Sequence, residues 1–323
     1  MKRFFALAAL LVFSALLLSG CGFSALGYEH PDMYTAGGGE IPGAVENLDV
    51  SWLDGQVMIA YAPRQGTVLS ETADRELSPA EQLHWWLDGK TLRVQYAEAG
   101  LRWMNAEKRL TVTLPEGTVL KNVRIACTSG RIEAAPFYGE TVHFSTTSGN
   151  IHAECAASSL RLTATSGNVT LRGAANSIEI QVTSGSINAA VEHADSLNAS
   201  VTSGSLQMDL DDVRQARASA TSGRISLLTD RVGELRADIT SGPIVARCKR
   251  APEEARLSAT SGSISLSLPK EAGFTAQIST LSGKTAVLLP AKQDGTRYLS
   301  GDGAAQIYLS TLSGGINLDA YQE

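Results

Sequence analysis

The sequence predicts an all-β fold: a single-stranded parallel β-helix, or solenoid, whose rungs are each about 18–20 residues long, with an irregular N-terminal capping section. Three observations carry this. A Ser-Gly turn recurs ten times, at Gly130, Gly149, Gly167, Gly185, Gly204, Gly223, Gly242, Gly262, Gly283 and Gly314, with intervals of 19, 18, 18, 19, 19, 19, 20, 21 and 31. Apolar residues alternate on both sides of each turn with a period of two, which marks strands and excludes an amphipathic helix. Finally, no repeat holds a segment long enough for a crossover helix, so each can form only one rung of a coil.

The elements follow in chain order. Lys2 and Arg3 precede an apolar run from Phe4 to Leu18, and Leu18-Ser19-Gly20-Cys21 closes it. That arrangement resembles a bacterial lipoprotein signal, and the resemblance implies cleavage before Cys21 and acylation of its thiol. Residues 1–20 are therefore expected to be a signal peptide. Residues 21–44, with Gly37-Gly38-Gly39 and Pro42, read as a flexible tether.

Residues 45–117 read as degenerate rungs that cap the N-terminal end. Leu48, Val50 and Trp52 stand seven, five and three before Gly55, with Val57 and Ile59 two and four after it, in the register of the main array. A polar segment with some helical character is expected around Ser78 to Leu83. Strand patterns follow at Leu92, Val94 and Tyr96 and at Leu110 to Leu114. All four tryptophans, Trp52, Trp85, Trp86 and Trp103, lie in this section. They are expected to plug the end of the core; an aromatic platform for a sugar ring is the functional alternative.

Residues 118–321 are the regular repeats. Before each glycine the inward columns read Val123, Ile125, Cys127 and Ile178, Ile180, Val182; after it they read Ile187, Ala189, Val191 and Ile264, Leu266, Leu268. Each rung is then strand, Ser-Gly turn, strand, connecting loop. The glycine is expected at φ > 0 in the bend. Rungs stacked about 4.8 Å apart give a rod about 48 Å long for ten copies.

Composition narrows the function classes. The formal charge of −6 becomes −8 once Lys2 and Arg3 leave with the signal, which argues against a nucleic-acid partner. Cys155 and Cys248 share a column but sit five rungs apart, about 24 Å, beyond any disulfide, and Cys127 faces elsewhere; all three are expected to be buried thiols. No metal-ligand spacing, phosphate loop or nucleophile elbow occurs, and no cofactor or metal is expected. The best acid–base cluster, Glu133, His152, Glu154 and Arg172, spans three rungs and reads equally as solvated side chains.

One outward column is more patterned. Six residues before each turn glycine stand Arg124, His143, Arg161, Glu179, Asn198, Arg217, Arg236, Arg256, Gln277 and Tyr308. In-register stacking would set Arg217, Arg236 and Arg256 in a ladder bordered by Ser and Thr hydroxyls, suited to a periodic anionic polymer or a phosphate head group. A solvated face with local acidic partners is the alternative.

The succession Asn47-Leu-Asp-Val-Ser-Trp52, Leu-Asp-Gly before Lys-Thr-Leu-Arg-Val-Gln-Tyr96, Leu-Thr-Val-Thr-Leu-Pro-Glu-Gly117 and the serial Thr-Ser-Gly turns resembles the bacterial putative-adhesin family of unknown function, over roughly residues 45–321. Leu268 to Phe274 and Ser300 to Gly303 are similar to that family's closing section. The resemblance implies one parallel β-solenoid and no assignable catalytic residue. Together these features predict a non-catalytic surface lipoprotein, lipid-anchored outside the bacterial cell membrane, that binds a cell-wall polymer, glycan or envelope protein. Two alternatives stand beside it: an envelope-stress accessory contacting membrane proteins, which the family's associations suggest, and a β-helical carbohydrate-active enzyme.

Cys21→Ala should release the protein from membranes or block its processing, whereas Cys155→Ala should leave localisation unchanged. Fractionation of cells expressing each variant checks this, and equal membrane retention would refute the anchor.

Overall fold

The computed structural model describes residues 27–101 and 106–322. Residues 1–20, expected to be a signal peptide, together with Cys21 and Trp103, lie outside the described residues. What is described is nearly all strand, wound into the expected solenoid.

The chain enters at the N-terminal end through a 3-10 turn, Pro31–Met33, and two two-residue strands, β1 (Thr35–Ala36) and β2 (Gly39–Glu40). From residue 27 this segment is docked and is not the flexible tether that its glycines suggested. Trp85 Nε1 donates to Gly37 O (3.0 Å), Gly37 N to Leu83 O (2.8 Å) and Ile41 N to Thr67 O (2.9 Å), and Ile41 is buried. The triglycine instead permits close approach: a Cβ on Gly38 would lie 2.5 Å from Leu69 O.

The long strand β3 (Asn47–Ala62) forms the rung of Gly55. The chain then makes two antiparallel strands, β4 (Val68–Ala73) and β5 (His84–Asp88), and returns as β6 (Thr91–Gln95) and β7 (Lys108–Pro115). Between β4 and β5, Ser78 and Glu81 form a single turn with Ser78 Oγ–Glu81 Oε2 at 2.8 Å, too short to be the helical segment expected there. β6 and β7 pair in parallel with β3 on one side, while β8 (Val119–Ser148) pairs in parallel with β3 on the other. The second rung in space is thus the first in sequence. The outermost rung is closed by β5 on β6 and β4 on β7, both antiparallel, with β1 and β2 beyond them.

From β8 onward the rungs stack in sequence order through β9 (Ile151–Ser166), β10 (Val169–Ser184), β11 (Ile187–Ser241), β12 (Ile244–Cys248), β13 (Glu254–Ser261) and β14 (Ile264–Leu268). Pairing is parallel and in register, as in Ile178↔Leu160 and Ile178↔Leu197. The connecting loop expected at the second corner is, in β9 to β11, a bend within continuous strand, because backbone groups at the corner still find partners on the neighbouring rungs. One-residue bulges at that corner absorb the 18-versus-19 difference: Gly173 pairs with Val191 and Ala174 with His193, so Glu192 is the extra residue. Ion pairs between successive rungs decorate the same corner, among them Arg214–Asp195 (3.6 Å), Arg231–Asp212 (3.4 Å) and Arg250–Asp230 (3.2 Å).

At the C-terminal end sequence order breaks again. After β14 come β15 (Phe274–Ser282), β16 (Thr285–Val287), β17 (Lys292–Asp294), β18 (Arg297–Ser300), β19 (Ala305–Ser313) and β20 (Ile316–Ala320). β13 pairs with β19 and β14 with β20, while β15 and β16 pair with the far sides of β19 and β20. The Gly314 rung is therefore inserted between those of Gly262 and Gly283, where sequence order had placed it last. The interval of 31 is the trace of this excursion.

The turn glycines stack into a column, and their requirement is mainly steric. A Cβ on Gly204 would lie 1.7 Å from Gly185 O, and one on Gly185 2.0 Å from Gly167 O. Seven of the ten also have positive φ, between 125° and 156°. Gly130, Gly149 and Gly283 do not, contrary to expectation, yet a Cβ there would still meet the backbone of the adjacent rung, at 1.9 Å for Gly149 and Gly283. At these sites the close approach alone excludes a side chain.

Gly204→Ala should therefore cost more than strain at φ +141 alone, which is about 1–3 kcal/mol, because it also pries two rungs apart. Gly89→Ala, at φ +61 with nothing within 4 Å of the added Cβ, should cost only about 1 kcal/mol. Ser205→Ala, which loses one exposed hydroxyl contact to Ser186, should cost no more than about 1 kcal/mol. Chemical denaturation of the three variants measures the order.

Candidate functional site

The alternation that points Leu235, Ala237 and Leu257 into the core points Arg236 and Arg256 outward, and stacking sets these two arginines side by side as register partners. Arg217 lies with them along a shallow groove of about 200 Å³ whose other walls include Asn198, Gln215 and Glu234. The expected Arg217–Arg236–Arg256 ladder is thus brought together on one face.

Its charges are partly balanced. Arg236 Nε donates to Asp238 Oδ2 on its own strand at 2.8 Å, and Arg256 Nε to Glu254 Oε1. Glu254 holds the Arg256 guanidinium above its usual basicity. These bonds cross-brace side chains two residues apart on one face, so the arginines are positioned while the rest of each guanidinium fork stays available.

The swapped rung order changes the end of the ladder. Arg256 is the register partner of Tyr308, and Tyr308 of Gln277, although Gln277 comes first in sequence. The Arg256 guanidinium carbon stands 4.1 Å from the Tyr308 ring centroid, a cation–π contact that fixes the last arginine. Sequence reasoning placed Gln277 there; only the interval of 31 could have signalled the exchange.

Toward the N-terminal end the same column changes character. Arg93 and Arg124 flank Asp49, with Arg93–Asp49 at 3.3 Å, and Arg161 meets Glu179 at 3.0 Å. Burial, with Arg161 and Arg124 nearby, pushes His143 below the ordinary histidine value. Beside the ladder a second groove is lined by hydroxyls, with Ser200, Ser219 and Ser258 in one column and Thr202, Thr221, Thr240 and Thr260 in the next.

The other sequence candidates fare differently. Glu133 and His152 are register partners, as are Glu154 and Arg172, so the cluster is adjacent in space. Its closest pair, His152 Nε2–Glu154 Oε1, stands 3.7 Å apart on an exposed sheet face with half-open side chains, an arrangement that encloses no reacting atom. Cys127, Cys155 and Cys248 are free and buried, and burial pushes their thiols up to about 12, about 12 and about 11. Among the described residues no group of His, Cys, Asp and Glu could hold a metal ion, and no helix is long and apolar enough to cross a membrane.

The aromatic cap is structural where it is deepest. Trp52, 2% exposed, meets Tyr96 edge-on with centroids 4.9 Å apart. Against both rings lies Lys108, 1% exposed, its Nζ 5.1 Å from the Trp52 centroid and 4.3 Å from that of Tyr96. Lys108 Nζ pairs with Glu71 Oε1 at 2.5 Å and donates to Glu81 O at 2.7 Å and to Tyr96 O. Burial lowers its basicity and the Glu71 carboxylate opposes that. Lys108 takes the place in the first rung that glycine takes elsewhere, with its carbonyl against Gly55; nothing in its sequence pattern marked it as a buried cation. Trp85 and Trp86 are half-buried, and Trp86 packs edge-on with Tyr34 and beneath Arg93.

A family profile described as Toastrack DUF4097 matches residues 45–231 and 174–319. Among solved structures, a putative cell adhesion protein from Clostridium sporogenes ATCC 15579 is similar at 10% identity, covering 88% of this chain and 99% of that one, with a TM-score of 0.23. A putative adhesin from Bacteroides fragilis NCTC 9343 is similar at 13% identity, covering 88% and 96%, with a TM-score of 0.31. No curated protein matches the chain.

Lys108→Met should destabilise the cap by about 3–5 kcal/mol, because it leaves the Glu71 carboxylate buried without its cation. Adding Glu71→Gln, which keeps an acceptor for Leu83 N, should restore about 1–2 kcal/mol of that loss. Equilibrium unfolding of the single and double variants checks both values.

Proposed function

The chain belongs to the Toastrack DUF4097 family, and from that premise we propose that it is a non-catalytic binding module, held outside the bacterial membrane by the lipid on Cys21, which seats an anionic cell-wall polymer or glycan along its arginine ladder. The observation that carries this reading is the groove of Arg217, Arg236 and Arg256, with the Tyr308 ring against the last arginine. A rod that repeats one side chain about every 4.8 Å offers a lattice of like groups, and a polymer with a regular run of anionic and hydroxyl groups is the ligand such a lattice can engage at several points at once.

The chemistry of the lining fits a sugar-based chain. Arginine forks bind carboxylate or phosphate, while Asn198, Gln215, Glu234 and the neighbouring Ser and Thr columns exchange hydrogen bonds with ring hydroxyls. Partial neutralisation by Asp238 and Glu254 keeps the arginines from repelling one another in the free protein. It also limits the affinity of any single contact, so binding should depend on polymer length. The exposed, unenclosed His152–Glu154 pair supports leaving catalysis out of the reading.

Replacing Arg217, Arg236 and Arg256 together with Gln should weaken binding to isolated anionic wall polymer by about tenfold or more at low salt, a change of about 1.4 kcal/mol, and flatten the salt dependence that remains. The melting temperature should stay nearly unchanged, since all three side chains are at the surface. Arg161→Gln, which already has Glu179 as a partner, should have a smaller effect. Co-sedimentation with the polymer at several salt concentrations checks this, and parental binding by the triple variant would overturn the proposal.

A further inference from the structure

The charges of the arginine groove do not cancel evenly, and the reason lies two residues to either side of each arginine. On the rung of Gly242 those positions are Glu234 and Asp238, and Arg236 turns to Asp238. On the rung of Gly262 they are Glu254 and Ser258, so Arg256 turns the other way, to Glu254. Arg217, on the rung of Gly223, is flanked by Gln215 and Ser219, neither of which carries charge. Among the described residues it makes no ion pair, and neither does Glu234. One cation and one anion are thus left over, both exposed and both lining the same groove.

The two residues are held apart in a fixed relation. Gln215 and Glu234 share one column, and Gln215 Nε2 donates to Glu234 Oε2 at 3.1 Å across the step between rungs. A neutral amide positions the carboxylate without cancelling its charge. Arg217 stands one rung along the rod and two residues along the strand from Glu234, about 8 Å away at Cα. Glu254 is the register partner of Glu234, so two carboxylates border the arginine column on one side. A polymer that bears only anionic groups is therefore attracted by the arginines and repelled by Glu234, and the repulsion is relieved only when the ligand brings a cation of its own.

We infer that the groove selects a zwitterionic polymer, one whose repeat unit carries an ammonium group beside its phosphate or carboxylate, with the anion on Arg217 and the ammonium on Glu234. This rests on the polymer reading of the same groove and narrows it to a class of ligand. Asp238 and Glu254 are already committed to arginines, which leaves Glu234 as the acceptor for the amine. Asn198 and Gln215, neutral and next to Arg217, offer donors and acceptors to the hydroxyl or ester oxygens that link the two charges. Arg236 and Arg256 then hold the anionic groups of the following repeats. An exposed ion pair adds little by itself, so the selection is a modest preference laid over the arginine binding.

The probe is a poly(glycerol phosphate) whose hydroxyls carry aminoacyl esters, titrated at low salt against the full chain in mild detergent. It should bind about three- to fivefold more tightly than the same polymer freed of its esters by mild base, and by a similar factor over the same polymer with its amines acetylated, which keeps the ester and loses only the charge. Glu234→Gln, which keeps an acceptor for Gln215, should bring the three affinities together, weakening the aminoacyl polymer and tightening the stripped one. Arg217→Gln should weaken all three. Asp209→Asn, which removes one exposed negative charge from the other strand of the rung of Gly204, should keep the parental preference and so separates the groove from net charge. Equal binding of the parent to the three polymers, or a preference that survives Glu234→Gln, would overturn the inference while the polymer reading stands. Binding to none of the three overturns the inference and the polymer reading with it.

Discussion

From Gly130 onward the rungs of this protein are spaced by contact between backbones at the Ser-Gly corner. Each turn glycine lies against the carbonyl of the glycine on the adjacent rung, with no room for a methyl group between them. That contact holds the corners at strand-to-strand distance, which lets the hydrogen-bond ladder run through the bends and brings the Ile, Val, Leu and Ala columns into one continuous core. Register at the corner is kept while length varies elsewhere: bulges at the second corner and excursions at the two ends take up the extra residues.

A stack of this kind exposes two raw ends, and the chain reaches both by the same route. It starts or finishes one rung in from the end, after sending an excursion out to make the terminal rung. The terminal rung is thereby covalently tied to its neighbour, and antiparallel strands from the same excursion cover both of its strands at the N-terminal end and one of them at the C-terminal end. At the N-terminal end this includes a buried ion pair between Lys108 and Glu71 beneath Trp52 and Tyr96, which fills the space where a corner glycine would stand. At the other end the cover stops halfway: among the described residues β16 pairs only with β20, and it is uncharged.

The functional readings divide along this geometry. The faces of the rod repeat, and the proposed polymer ligand is the kind of partner that such repetition suits. His152 and Glu154, the closest pair of the acid–base cluster, stand 3.7 Å apart and partly open to solvent.

Much of this was legible from residues alone. The period of the Ser-Gly turns, the alternation around them, the degenerate rung at Gly55 and the outward column containing Arg217, Arg236 and Arg256 are properties of local sequence, because strand faces and turns are set by residues a few positions apart. The docking of residues 27–44, the buried Lys108–Glu71 pair, the seat of Tyr308 on Arg256 and the open edge at β16 were decided only by tertiary structure. All four depend on which rung lies beside which, and at both ends neighbours in space are not neighbours in sequence. A repeat specifies that rungs stack, since every rung presents the same columns to the next. It cannot by itself specify their order, and here the excursions at the two ends set it.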